Sequence, residues 1–184
     1  MTTKTTKQTH LYDDQIFAHH GIRFRVQFPF DEFTSAPWED CDGHGIVSEW
    51  TTRDKAPGER VLVTDRSSRR YYDVRATLAI ARRDSWGVAN PPTGASKRQI
   101  AALAVEHDYQ YLRGWCNDEW HYCGVVVTRE DTGEDRSIWG IEDTEGAYLA
   151  ETAYELADEL IAVGRARMLP REAARMLAPW PDAL

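Results

Sequence analysis

The sequence predicts an α+β fold: an antiparallel or mixed sheet of about four strands with two to three helices packed on one face. Three observations carry this. Segments alternating apolar and polar residues at period two stand apart from segments with apolar residues at period 3.6. Their order, β-β-α-α-β-β-α, lacks the strict alternation of a doubly wound parallel sheet. A chain of 184 residues that is 42% hydrophobic and 11% aromatic is also large enough to bury a core without disulfide or metal staples.

The opening MTTKTTKQTH has no apolar run of signal-peptide length, and residues 1–20 are expected to be a polar, flexible tail. Ile22, Phe24, Val26 and Phe28 alternate with Arg23, Arg25 and Gln27, the pattern of a half-buried strand that Pro29 stops. Residues 31–59 hold Pro37, Gly43, Gly45, Pro57 and Gly58, a long irregular stretch that is either functional or hides short elements. Arg60 to Asp65 reads as a strand. Asp73 caps a helix to about Arg83 with Val74, Thr77, Leu78 and Ala81 inward.

Ser96 opens a longer helix to about Cys116, with Ile100, Leu103, Ala104, His107, Tyr111 and Trp115 as its expected inner face. Glu119 to Thr128 reads as a strand and DTGED as a hairpin turn, returning into Ser137 to Ile141. A helix from about Gly146 to Val163 follows, with Leu149, Ala153, Leu156, Leu160 and Val163 as its core stripe, and then a short helix over 170–177. The expected organisation is a single domain over 21–168 and a short C-terminal helix or tail over 169–184.

Charge is distributed unevenly. The net charge is -8, with 30 Asp and Glu against 22 Lys and Arg, so bulk attraction to nucleic acid is not expected. Between Asp118 and Leu160 thirteen carboxylates face only Arg129 and Arg136. Glu151, Glu155, Asp158 and Glu159 fall on one side of the last helix, opposite its leucines, with no Lys or Arg interleaved. A row of carboxylates on a helix is either a solvated face or a surface that stands in for a phosphate backbone. The candidate partner-binding set is Glu142, Asp143, Glu145, Glu151, Glu155, Asp158 and Glu159.

The middle of the chain is basic. Arg66, Arg69, Arg70, Arg82 and Arg83 lie near Tyr71, Tyr72 and Trp86, a combination that suits phosphate contacts and base stacking. No helix-turn-helix, zinc-finger or RNA-binding signature accompanies them.

Two clusters offer catalytic side chains, WEDCDGHG from Trp38 and WCNDEWHYC from Trp115. Asp40, Asp42, His44, Glu119 and His121 have the chemistry of a divalent-metal hydrolase or nuclease site. The Cys and His spacing matches no zinc motif, and neither a cofactor nor a resident metal is expected. Cys41, Cys116 and Cys123 are an odd set without disulfide-scaffold density, consistent with a reducing compartment. The P-loop, the dinucleotide fingerprint and the nucleophile elbow are absent.

The stretches WEDCDGHGIVSEWTTRDKAPGERVL, RRYYDVRATLAIARRDSWG and LRGWCNDEWHYCGVVV, with SIWGIE before the last helix, resemble a family of small acidic bacteriophage and prophage proteins. The resemblance covers most of the chain after about residue 30 and implies a viral origin and the cytoplasm of a bacterial host. It brings no catalytic residues with it. Small phage proteins of this kind often bind and disable host machinery, including restriction and CRISPR systems. The reading that follows is a non-enzymatic inhibitor whose acidic surface binds a host protein or ribonucleoprotein complex with a basic face, without membrane or direct nucleic-acid contact. The alternatives are the metal-dependent hydrolase or nuclease and an accessory nucleic-acid-binding protein using the Arg66–Arg83 segment.

Overall fold

The computed structural model describes residues 10–40, 43–144 and 146–176, with side chains described as far as Arg165 except that of Asp40. In chain order the elements are β1 (Gln15–His19), β2 (Ile22–Gln27), α1 (Pro37–Asp40), β3 (Glu59–Asp65), β4 (Ser68–Asp73), α2 (Val74–Arg83), α3 (Lys97–Cys116), β5 (Tyr122–Arg129), β6 (Asp135–Glu142) and α4 (Gly146–Met176). This is an α+β fold. The chain divides into two compact units, Met1–Glu32 with His121–Leu184, and Phe33–Trp120.

The first unit is a four-stranded antiparallel sheet in the order β1-β2-β5-β6, with α4 on one face. Its register sets Phe17 opposite Phe24 and Val26 opposite Val127, so apolar side chains of β1, β2 and β5 meet on one face of the sheet. Phe24, Val26, Val125 and Val127 are fully buried and share a core with Leu149, Ala153, Tyr154, Leu156 and Leu160 of α4. At about 25 cal/mol per Å² of apolar surface, each such side chain contributes about 1.5–3 kcal/mol of transfer free energy. β1 corrects the expectation of a tail over residues 1–20. Its five residues are too few to display a clear period, but the hairpin with β2 closes through His20 and Gly21, whose φ values are 50° and 78°. Two successive left-handed residues give the tight turn whose twist matches that of the strands.

The second unit packs α2 and α3 on the β3–β4 hairpin around Leu62, Tyr72, Ala81, Ala101, Val105, Tyr109 and Leu112. Asp73 caps α2 as its side chain accepts a 2.8 Å hydrogen bond from Ala76 N. Ser96 and Gln99 form a reciprocal capping box at α3. β4 is missing from the sequence reading because SRRYYD has no alternation and its turn, Arg66-Ser67, has neither Gly nor Asn. The irregular stretch before β3 does hide order. It runs beside β4, with Ser48 N donating to Tyr71 O at 2.8 Å, Asp73 N to Ile46 O at 2.9 Å, and a bridge between Thr51 and Arg69.

Two helix expectations need correction. α3 is rotated from its expected face: Ala101, Ala104, Val105, Tyr109 and Leu112 are buried, whereas His107 is exposed and Ile100, Leu103, Tyr111 and Trp115 are only half-buried. The small alanines permit close approach to α2, and Asp108, not His107, turns inward. α4 continues as one helix through Pro170 to Met176, so residues 170–176 belong to it rather than to a separate helix, and residue 177 lies outside the described residues.

Candidate functional site

The outer side of α4 follows from its sequence. Leu149, Ala153, Leu156 and Leu160 take the sheet side, and residues 151, 155 and 159, four apart, must then face away. Glu151, Glu155 and Glu159 are all exposed, and none has an ion pair among the described residues. Each step along this row rises about 6 Å. Like charges at this spacing cost a few tenths of a kcal/mol per pair, and no cation offsets them.

The other expected members of the acidic set are placed differently. Asp158 Oδ1 lies 2.6 Å from His19 Nε2 and 3.5 Å from His20 Nε2, so the β1–β2 turn already engages it. Asp143 accepts from His121 N at 2.9 Å and sits 3.1 Å from His121 Nδ1 through its other oxygen, fastening the entry to β5. Glu142 is half-buried on β6 opposite Tyr122. Glu145 lies outside the described residues. The free row is therefore Glu151, Glu155 and Glu159.

In the second unit, His44 belongs to a largely buried polar network built on Asp108. Its Nδ1 lies 2.6 Å from Asp108 Oδ1, while Asp108 Oδ2 accepts from Tyr72 Oη at 2.6 Å and from Gly45 N at 2.8 Å. The Asp108 side chain is only 7% exposed. A buried carboxylate is tolerable because three donors satisfy it. Burial first, and then the hydrogen bond to Asp108, raise the Tyr72 phenol far above its ordinary range, so it remains a donor. Tyr111 stacks on the imidazole at 5.4 Å with the rings 6° from parallel. The network orients His44 and leaves its Nε2 free of the carboxylate, as in any Asp–His pair.

Of the remaining expected catalytic residues, Asp42 and the side chain of Asp40 lie outside the described residues, as does Cys41. Glu119 is exposed in the second unit, and His121, in the first, is paired with Asp143 with Phe30 5.1 Å from its ring. Each described histidine of that set thus has a carboxylate partner outside it. Burial pushes both described thiols, Cys116 and Cys123, up to about 11, which keeps them protonated near neutral pH and poor nucleophiles.

The basic segment is also reassigned. Tyr71 and Tyr72 are 1% and 0% exposed, so neither can stack on a base. The Arg70 guanidinium lies over Trp38 and Trp50, and Arg60 sits 3.5 Å above the Tyr109 ring. Arg83 pairs with Asp84. Sequence reasoning missed Lys97 and Arg98, which with Arg82 and Trp86 line a cavity of about 430 Å³ against Ile100 and Ala101. These three cations have no ion pair among the described residues. The signal was present in Lys97-Arg98 directly after the Ser96 cap.

A scan against protein-family models, a search of curated proteins and a search of solved structures each found no match. Among the described residues no helix is long and apolar enough to cross a membrane.

Proposed function

We propose that this chain is a phage-encoded, non-enzymatic inhibitor that docks the acidic face of α4 on a basic surface of a host nucleic-acid-handling complex. The observation that carries the reading is the row of Glu151, Glu155 and Glu159, exposed and without a cation partner among the described residues. An isolated helix gains nothing from such a row. Against a groove of Lys and Arg the same carboxylates become attractive and steer encounter. The resemblance to small phage proteins supplies the host context.

The test is affinity capture from bacterial lysate with wild type and the Glu151→Gln/Glu155→Gln/Glu159→Gln variant in parallel, followed by mass spectrometry. Capture of a nucleic-acid-handling assembly by wild type, reduced tenfold or more in the variant, is the expected result. Equal capture by both proteins contradicts it.

A second reading has one observation in its favour. The cavity ringed by Arg82, Lys97 and Arg98 beside Trp86 combines phosphate-binding charge with a ring suited to stacking. Binding of a short single-stranded oligonucleotide that Arg98→Ala abolishes supports that reading, and its absence removes it.

A further inference from the structure

The β1–β2 turn and α4 bring together three side chains that the proposed function does not use. One ring nitrogen each of His19 and His20 and an Asp158 carboxylate oxygen all lie within 4.8 Å of one another. Successive residues on a strand point to opposite faces, so adjacent histidines ordinarily diverge. Here His20 leaves the strand with φ 50°, and the left-handed backbone swings its ring to within 4.2 Å of the His19 ring, centroid to centroid. That conformation is uncommon for a residue with a side chain. Gly and Asn adopt it more readily, yet His20 occupies it.

We infer that His19, His20 and Asp158 form a binding site for a divalent transition-metal ion, with zinc as the reference ion. Two imidazoles and one carboxylate are a donor set that suits zinc, nickel or copper and leaves the fourth position of a tetrahedron open to water. Metal–ligand bonds of about 2.0–2.2 Å place tetrahedral ligand atoms about 3.3 Å apart. The 2.6 Å contact between His19 and Asp158 must therefore open slightly and the longest separation must close. Side-chain rotation achieves both, because the His20 and Asp158 side chains are 59% and 50% exposed.

His19 is the fixed member. It is 3% exposed and packs edge-on against Tyr154 at 5.1 Å. Its Nδ1 is buried and has no hydrogen-bond partner. Metal-binding histidines usually donate this second nitrogen to an outer acceptor, and loss of such a partner weakens affinity about 10–100-fold. The site is accordingly a moderate one that fills in the micromolar range rather than a structural zinc site on which folding depends. Filling it places positive charge on α4 at Asp158, next in sequence to Glu159 of the carboxylate row.

The test is zinc titration of the full, untagged chain by calorimetry and thermal melting, using wild type, His20→Asn and Asp158→Asn. Asn tolerates the left-handed turn at position 20, so that variant removes a ligand without disturbing the hairpin. Wild type should show a saturable zinc site and a zinc-dependent rise in Tm, and each variant should weaken that site at least tenfold. Two results overturn the inference: no saturable binding below about a millimolar, or both variants binding zinc as wild type does, which places the ion elsewhere.

Discussion

Asp108 holds His44 and Gly45 together: one carboxylate oxygen lies 2.6 Å from His44 Nδ1 and the other accepts the Gly45 N–H at 2.8 Å. The arrangement depends on the glycine, since a Cβ at position 45 falls 2.5 Å from the Tyr72 ring. Gly45→Ala is expected to cost about 1–3 kcal/mol through that overlap. Asp108→Ala is expected to cost about 2–4 kcal/mol, because the donors of Tyr72, Gly45 and His44 lose their acceptor. Denaturant melts check both. A change below about half a kcal/mol in either variant shows that the network is not a structural anchor.

Leu160 reads the packing of α4 on the sheet. It is 1% exposed within the core that includes Val125 and Val127. Leu160→Ala should cost about 2–5 kcal/mol, and Leu156→Ala, at 8% exposure, should fall at the lower end of that range. Equal, negligible losses in the two variants mean that the helix does not cover the sheet.

Glu59 supplies a pH dependence. A bidentate hydrogen bond from Arg53, with Nη2 at 2.5 Å and Nη1 at 2.7 Å, holds its carboxyl below the ordinary value of 4.5. A depressed folded value means that the stabilisation is complete above the unfolded value and is lost as pH falls through the folded one. The pair is partly exposed, so Glu59→Gln should lower stability only slightly at pH 7. The gap between wild type and variant should close progressively as pH drops past 4.5. A gap that persists unchanged in acid assigns the effect to packing instead.

The two described thiols should be slow. With Cys116 and Cys123 both near 11, alkylation of native protein at pH 7.5 is expected to lag far behind that of urea-unfolded protein, and to rise about tenfold per pH unit between pH 8 and 10. Mass spectrometry after timed iodoacetamide exposure resolves the sites. Rapid labelling of either residue in the native protein reopens the nucleophile reading for it.

Much of this fold was legible in the sequence because several of its elements carry strong local rules. The strand read from the alternation after Ile22, the Asp73 cap of α2 and the start of α3 after Ser96 all form where the pattern places them. What stayed hidden depends on long-range contacts. β1 is too short to show a period and is defined by its pairing with β2. β4 exists because the segment before β3 and β3 itself both pair with it. The face of α3 was misplaced because hydrophobicity favoured Ile100 and Leu103, whereas small alanines and a fully satisfied Asp108 decide its rotation. The carboxylate row of α4 was readable from spacing alone. That Asp158 is claimed by His19 was not, since those residues are 139 positions apart.

The central claim is that Glu151, Glu155 and Glu159 steer this chain to a basic partner, and association kinetics test it most directly. The partner obtained by affinity capture is titrated by stopped flow or surface plasmon resonance at low and high salt, against wild type and the triple Gln variant. Asp158 is left intact because His19 holds it. Wild type should associate fast at low salt and slow steeply as salt rises, and the variant should start slower with a flattened dependence. Identical rates and identical salt dependence for the two proteins contradict the account and return the row to ordinary solvated surface.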